Sequence, residues 1–137
     1  MIWLGLKKKL MVRIKIKCVY DKPLKADGYR IFVDRLWPEN VSREATQLDE
    51  WAREIAPSDA LHNWFDHLPE HWWKFQARYI AELDRNKFVR DFAQRHKNKD
   101  LITLVYSTRY DHLTHAIILK QFLEQRIIQQ KPNAIGC

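Results

Sequence analysis

Glycine is nearly absent: the 137-residue chain holds three. Loops that cradle phosphate need glycines so that backbone N–H groups can approach the anion, and no such fingerprint is present. Cysteine is equally scarce. Cys18 and Cys137 are the two in the chain, with no C-x-x-C spacing of the kind that holds a metal. They fit a reducing compartment, with Cys18 as a small core residue. No apolar run approaches the roughly 18 residues that cross a bilayer. The apolar opening, residues 1–6, precedes Lys7-Lys8-Lys9, the reverse of signal-peptide order. A cytoplasmic protein with no membrane partner is therefore expected. G-x-S-x-G and H-E-x-x-H motifs are missing too, as are internal repeats and low-complexity segments. No metal and no cofactor is expected.

What is present is a core and a lopsided charge. Hydrophobic residues make up 46% of the chain, including six Trp, which excludes a disordered class. The net charge is +7. Residues 1–30 hold nine Lys or Arg against Asp21 and Asp27, so that end carries the whole excess and the remainder balances. Met11 is an alternative start, which would make residues 1–10 a basic extension, disordered or not native. The expected organisation is that extension, one domain over residues 11–130, and a tail over 131–137.

From Met11 onward Val12, Ile14, Ile16 and Cys18 alternate with Arg13, Lys15 and Lys17, the period of a half-exposed strand. Asp21 to Gly28 reads as a loop. A second strand is predicted from Tyr29 to about Leu36, ended by Pro38. Ser42 is placed to cap a helix to about Ile55, because Leu48, Trp51, Ala52 and Ile55 fall at i, i+3, i+4, i+7. Pro57 breaks it, and Ser58 caps a short helix bearing Leu61, Trp64 and Phe65. Pro69 opens a third helix striped by Trp72, Phe75, Tyr79 and Leu83. A fourth, near Asn86 to His96, presents Phe88, Val89, Phe92 and Ala93. Leu101 to Tyr106 is a continuous apolar run of strand length, read as a central strand. The last helix runs from about His112 to Gln130, with Leu119, Phe122, Leu123 and Ile127 inward. The fold class is α/β: a small, mostly parallel sheet of about three strands covered by five helices.

Ligands in open α/β sheets bind beyond the carboxyl ends of strands. Two such ends carry polar groups: Asp34, Arg35 and Trp37 after the second strand, Ser107 and Arg109 after the third, with His115 in the next helix. If the two strands are parallel, these six residues form one ligand site for a small anion such as phosphate or carboxylate. His115, oriented by Asp34, is the candidate general acid or base. The plainer roles stand beside these. Asp34 and Arg35 can clamp the turn, Arg109 can pair with Asp111, and His112 with His115 is too small a set for a metal. His62, His67 and His71 straddle the break at Pro69 and read as surface residues.

The string Gly28-Tyr29-Arg30-Ile31-Phe32-Val33-Asp34-Arg35-Leu36-Trp37-Pro38 resembles the domain-of-unknown-function 488 family, in its YeaO-like branch. The resemblance continues through Ile55-Ala56-Pro57-Ser58, Leu61-x-x-Trp64-Phe65-x-His67 and Thr103 to Arg109, covering nearly everything from Met11 to Leu123. Other branches of that family carry a Cys-His-Arg motif after the last strand. Here the segment from Asp111 to Ala116 has no Cys, which implies a branch that has lost or replaced that site. Relatives continue Trp-Pro with Arg-Gly, whereas this chain has Glu39-Asn40.

Three functions compete on these residues. The first is a small-anion or nucleotide-binding domain, a catalytically degenerate member of its family. The second is a nucleic-acid-binding protein using Lys7 to Lys9 and the outward face of Arg13, Lys15 and Lys17. The third is a non-catalytic interaction domain, a homodimer through exposed Trp surface.

Overall fold

The structure, a computed structural model, describes residues 12–108 and 113–135, with side chains as far as Arg126. Four parallel strands form one sheet in the order β1-β4-β2-β3, with β1 at Arg13–Cys18, β2 at Tyr29–Phe32, β3 at Glu50–Trp51 and β4 at Leu101–Tyr106. The helices are α1 (Arg43–Thr46), α2 (Asp59–Phe65), α3 (Trp72–Arg85), α4 (Lys87–His96) and α5 (His115–Ile135).

The two sheet faces are covered differently. Ile14, Ile31, Val33, Ile102, Leu104 and Tyr106 point to the face on which α2 to α5 pack, and with the helix stripes they form the main core. Tyr79 is fully buried there, and its hydroxyl donates to the Ile55 carbonyl at 2.7 Å. The opposite face carries Val19, Phe32 and Val105 beneath Trp37, Val41, Leu48 and Trp51. This smaller cluster is roofed by the long β2–β3 connection rather than by long helices.

That division explains the main departure from the expected elements. The stripe Leu48, Trp51, Ala52, Ile55 does not belong to one helix. Ser42 caps only the single turn of α1, its hydroxyl accepting from the Ala45 N–H at 3.3 Å. Gln47 then turns left-handed at φ 48°. Asp49 N–H donates to the Arg30 carbonyl at 2.9 Å and Ala52 N–H to the Phe32 carbonyl at 2.8 Å, so the segment pairs with β2 as an edge strand. Leu48 and Trp51 serve one face of the sheet, Ala52 and Ile55 the other. A helical spacing is thus produced by a strand and a 3-10 turn that feed two cores.

Smaller differences have equally local causes. β2 stops at Phe32, although Val33 N–H still donates to the Val105 carbonyl at 2.9 Å, and Leu36 is 75% exposed. Phe88 is exposed while Val89, Phe92 and Ala93 are buried, because the inward stripe runs i, i+3, i+4 from Val89 and leaves Phe88 on its flank. α5 begins at His115, three residues later than expected, and extends past Gln130. Lys17 is not an outward group: its ammonium lies 3.0 Å from Asp27, a buried carboxylate that also receives Arg30 at 2.7 Å. Residues 1–11, with Lys7 to Lys9, lie outside the described residues, as does Cys137.

Candidate functional site

β2 and β4 are adjacent and parallel, with Phe32 opposite Val105, so the residues that follow them emerge side by side. The chain leaves β2 toward β3 and leaves β4 for α5, which packs back against β1. Connections that diverge from neighbouring strands open a crevice at their carboxyl ends. Here it is a hollow of about 220 Å³, bounded by Asp34, Trp37, Pro57, His62, Ser107 and His115 among others.

Asp34 ties the crevice together. Its Oδ2 accepts from the Ser107 N–H at 3.0 Å and from the Ser107 hydroxyl. Its backbone carbonyl accepts from the Trp51 indole N–H at 2.7 Å. Its Oδ1 is buried without a hydrogen bond among the described residues and lies 3.4 Å from His115 Nε2. One carboxylate therefore joins β2, β4 and the start of α5.

His115 Nε2 lies 2.9 Å from the Val33 carbonyl oxygen. A carbonyl only accepts, so Nε2 carries a proton, and in the neutral form of such a ring the lone pair is on Nδ1. Thr114 caps this helix start, its Oγ1 accepting from the Ala116 N–H at 3.2 Å.

Arg35 takes the plainer of its two roles. Its Nε donates to the Pro57 carbonyl at 3.2 Å and Nη2 to the Ala56 carbonyl at 3.3 Å, with Asp59 at 3.5 Å from Nε. It clamps the turn before α2 and leaves Nη1 as the nitrogen without a partner among the described residues. Trp37 is a wall: its indole N–H donates to the Val41 carbonyl at 2.8 Å, and its ring packs on Phe32 and Trp51 beneath the Arg43 guanidinium. Arg109, the sixth expected ligand residue, lies outside the described residues, together with Tyr110, Asp111 and His112. Asp34, Arg35, Trp37, Ser107 and His115 are brought to one hollow.

The family model described as the inactive DUF488-N3 subclade matches residues 13–136. The chain belongs to that subclade. It is similar to the uncharacterised protein YeaO of Escherichia coli K12, 37% identical over 116 residues that cover 82% of this chain and 97% of the relative. It is also similar to the uncharacterised proteins Mb3100c of Mycobacterium bovis and Rv3073c of Mycobacterium tuberculosis H37Rv. Each is 31% identical over 114 residues, covering 83% of this chain and 96% of its own. No solved structure matches the chain.

Within this DUF488-N3 chain two further histidines line the hollow: His62, exposed as its sequence context predicts, and His67, half-buried rather than on the surface. Asp66 and His67 follow α2 at φ 47° and 54°, two successive left-handed residues that turn the chain back and carry the imidazole inward. Burial lowers the His67 pKa, and the neighbouring His62 and His115 rings lower it further, against the opposing pull of Asp66 and Asp34. His71 stays outside the hollow, stacked on Trp64 at 4.3 Å. Asn40 sits at φ 62°. Asn tolerates that region better than other non-glycine residues, so the turn after Pro38 forms without a glycine. Among the described residues no group of three His, Cys, Asp or Glu is placed to hold a metal. No helix of the described residues is long and apolar enough to cross a membrane.

Proposed function

We propose that this domain binds a small anionic ligand, a phosphate ester or nucleotide, in the hollow between the carboxyl ends of β2 and β4, and does so without turning it over. The observation that carries this reading is the meeting of Asp34, Ser107 and His115 across two parallel strands. Around that meeting point stand Arg35 Nη1, a donor to an oxyanion, and the imidazoles of His62, His67 and His115, which become donors to it through a protonated ring nitrogen. The wall of Leu36, Trp37 and Pro38 offers apolar surface to the rest of the ligand. Binding without turnover is supported by the subclade's description and by the absence of a cysteine from the segment between Asp111 and Ala116. The nucleic-acid reading is left with less, since Lys17 is turned onto Asp27.

Calorimetric titration with inorganic phosphate and with AMP tests the proposal. Saturable binding is expected, tighter for AMP, and weakened at least tenfold in His115→Gln and in Arg35→Gln. Absence of binding by either probe, or binding indifferent to both substitutions, overturns it.

A further inference from the structure

We infer that the hollow is a proton-linked oxyanion site in which ligand binding places a second proton on His115, at Nδ1. The inference rests on the anion-binding reading above and adds how that binding is regulated.

The argument begins with the proton already present. His115 Nε2 faces two acceptors, the Val33 carbonyl at 2.9 Å and Asp34 Oδ1 at 3.4 Å. Neither can donate, because an ionised carboxylate and a carbonyl have lone pairs only. The ring is thereby fixed as the Nε2–H tautomer, and its other nitrogen is a lone pair on a ring that lines the hollow. No hydrogen bond to Nδ1 is made among the described residues.

An ionised phosphate oxygen is also an acceptor, and lone pair against lone pair repels. The contact becomes favourable once Nδ1 is protonated, whether the proton comes from solvent or arrives on the ligand. The complex then holds one proton more than the dianion and the neutral site held apart. Asp34 is the counter-ion that makes this imidazolium acceptable: its Oδ1 is buried, has no hydrogen bond among the described residues and lies 3.4 Å from Nε2. Ser107 occupies Oδ2 with two donors and so holds the carboxylate in that orientation.

Other charges face the ring from each element around it. Asp34 and Arg35 come from the end of β2, Asp59 and His62 from α2, His67 from the turn after it, and Tyr79 from α3. The two carboxylates favour the cation. Arg35 and the two other imidazoles oppose it, and Tyr79 is held neutral because burial pushes its hydroxyl well up. His67 is a second candidate for the proton, but its burial and its two imidazole neighbours disfavour its charged form.

The test is calorimetry with AMP at about pH 7.5 in Tris, HEPES and PIPES, which release different heats on giving up a proton. The observed enthalpy is expected to vary with the buffer by roughly one proton taken up per ligand, and affinity to fall by up to about tenfold per pH unit above the imidazole range. Uptake is expected to vanish in His115→Gln and to persist in His67→Gln. Imidazole nitrogen NMR of the unaltered protein is a second readout, expected to show the Nε2–H tautomer before AMP and both nitrogens protonated after it. AMP binding with buffer-independent enthalpy, or uptake that survives in His115→Gln, overturns the proton linkage while leaving anion binding in place. Absence of AMP and phosphate binding overturns both.

Discussion

His96, at the end of α4, places its Nε2 2.8 Å from Glu50 Oε1 on the edge strand β3, while its Nδ1 lies 2.7 Å from the Phe92 carbonyl. Both partners are acceptors, so the contact is complete only with a proton on each ring nitrogen. Arg95 adds a second cation to Glu50 at 3.3 Å, and the Tyr29 hydroxyl donates to it at 3.2 Å. A two-residue strand is thus held to the sheet from the helix side by one carboxylate.

The acid limb of stability follows from Glu50. Burial raises its pKa, but the hydrogen bonds and charges of His96 and Arg95 outweigh burial, and the net value lies below the ordinary 4.5. A carboxyl depressed in the folded state stabilises the fold above its unfolded value and loses that contribution as pH falls through the folded value. Urea midpoints measured downward from pH 4.5 should therefore fall, and the fall should be shallower in Glu50→Gln. An unchanged slope in that variant would show that Glu50 is not linked to folding.

Asp27 is the one fully buried carboxylate among the described residues, and its case is sharper. Burial raises its pKa, yet the Leu24 N–H, Lys17 and Arg30 together hold it below the usual carboxylate range. Arg30 is itself buried and spends Nε and Nη2 on the Thr46 carbonyl at 3.1 and 2.9 Å. Removing one partner of a buried pair leaves the other charge uncompensated, at about 3–5 kcal/mol. Asp27→Ala is expected to lose that much by chemical denaturation. Lys15→Ala should lose far less, since that side chain is 48% exposed and 3.9 Å away.

Gly28 tests backbone rather than charge. It sits at φ +67°, and a Cβ there would lie 2.6 Å from the Leu101 carbonyl oxygen. Both the left-handed region and the closeness of β4 oppose a side chain. Gly28→Ala should destabilise by about 2 kcal/mol or more in urea. A loss below the roughly 1 kcal/mol of an ordinary Gly change would mean that β4 moves aside freely.

Ser58 joins α2 to α3 through Glu82. The Ser58 hydroxyl accepts from the Leu61 N–H at 3.2 Å and donates to Glu82 at 2.6 Å, while the Ser58 N–H donates to the same carboxylate at 2.9 Å. Ser58→Ala should cost about 1–2 kcal/mol as a lost cap. Glu82→Gln is expected to cost less, because the amide keeps an acceptor for the Ser58 N–H. Thermal unfolding of the two variants orders them.

What could be read from the residues was whatever one local pattern decided alone. The unbroken run Leu101 to Tyr106 identifies a strand buried on both faces, and Pro57-Ser58 and Pro69 mark helix starts by chemistry that needs no tertiary partner. The fourth strand was hidden because Glu50 and Trp51 are only two residues, and their neighbours mimic a helical stripe while serving two separate cores. The five described residues proposed for the site meet because both strands are parallel, which their sequence suggests through apolar runs. Arg35 was ambiguous because its carbonyl partners, Ala56 and Pro57, lie more than twenty residues away. His67 reads as a surface residue in the sequence because its inward turn depends on left-handed Asp66 and His67, residues with no glycine to announce them, whereas His62 is exposed as expected and reaches the hollow from its edge.

The uneven covering of the sheet has a consequence for how the hollow is built. The floor of the hollow is anchored in the main core through Val33, Tyr79 and the start of α5, whereas its rim at Leu36, Trp37 and Pro38 belongs to the connection laid over the other face. At that rim Leu36 is exposed and touches neither core, whereas Trp37 is tied to the smaller one. The shape of the mouth and the packing of the main core are in this way set by different stretches of the same short chain.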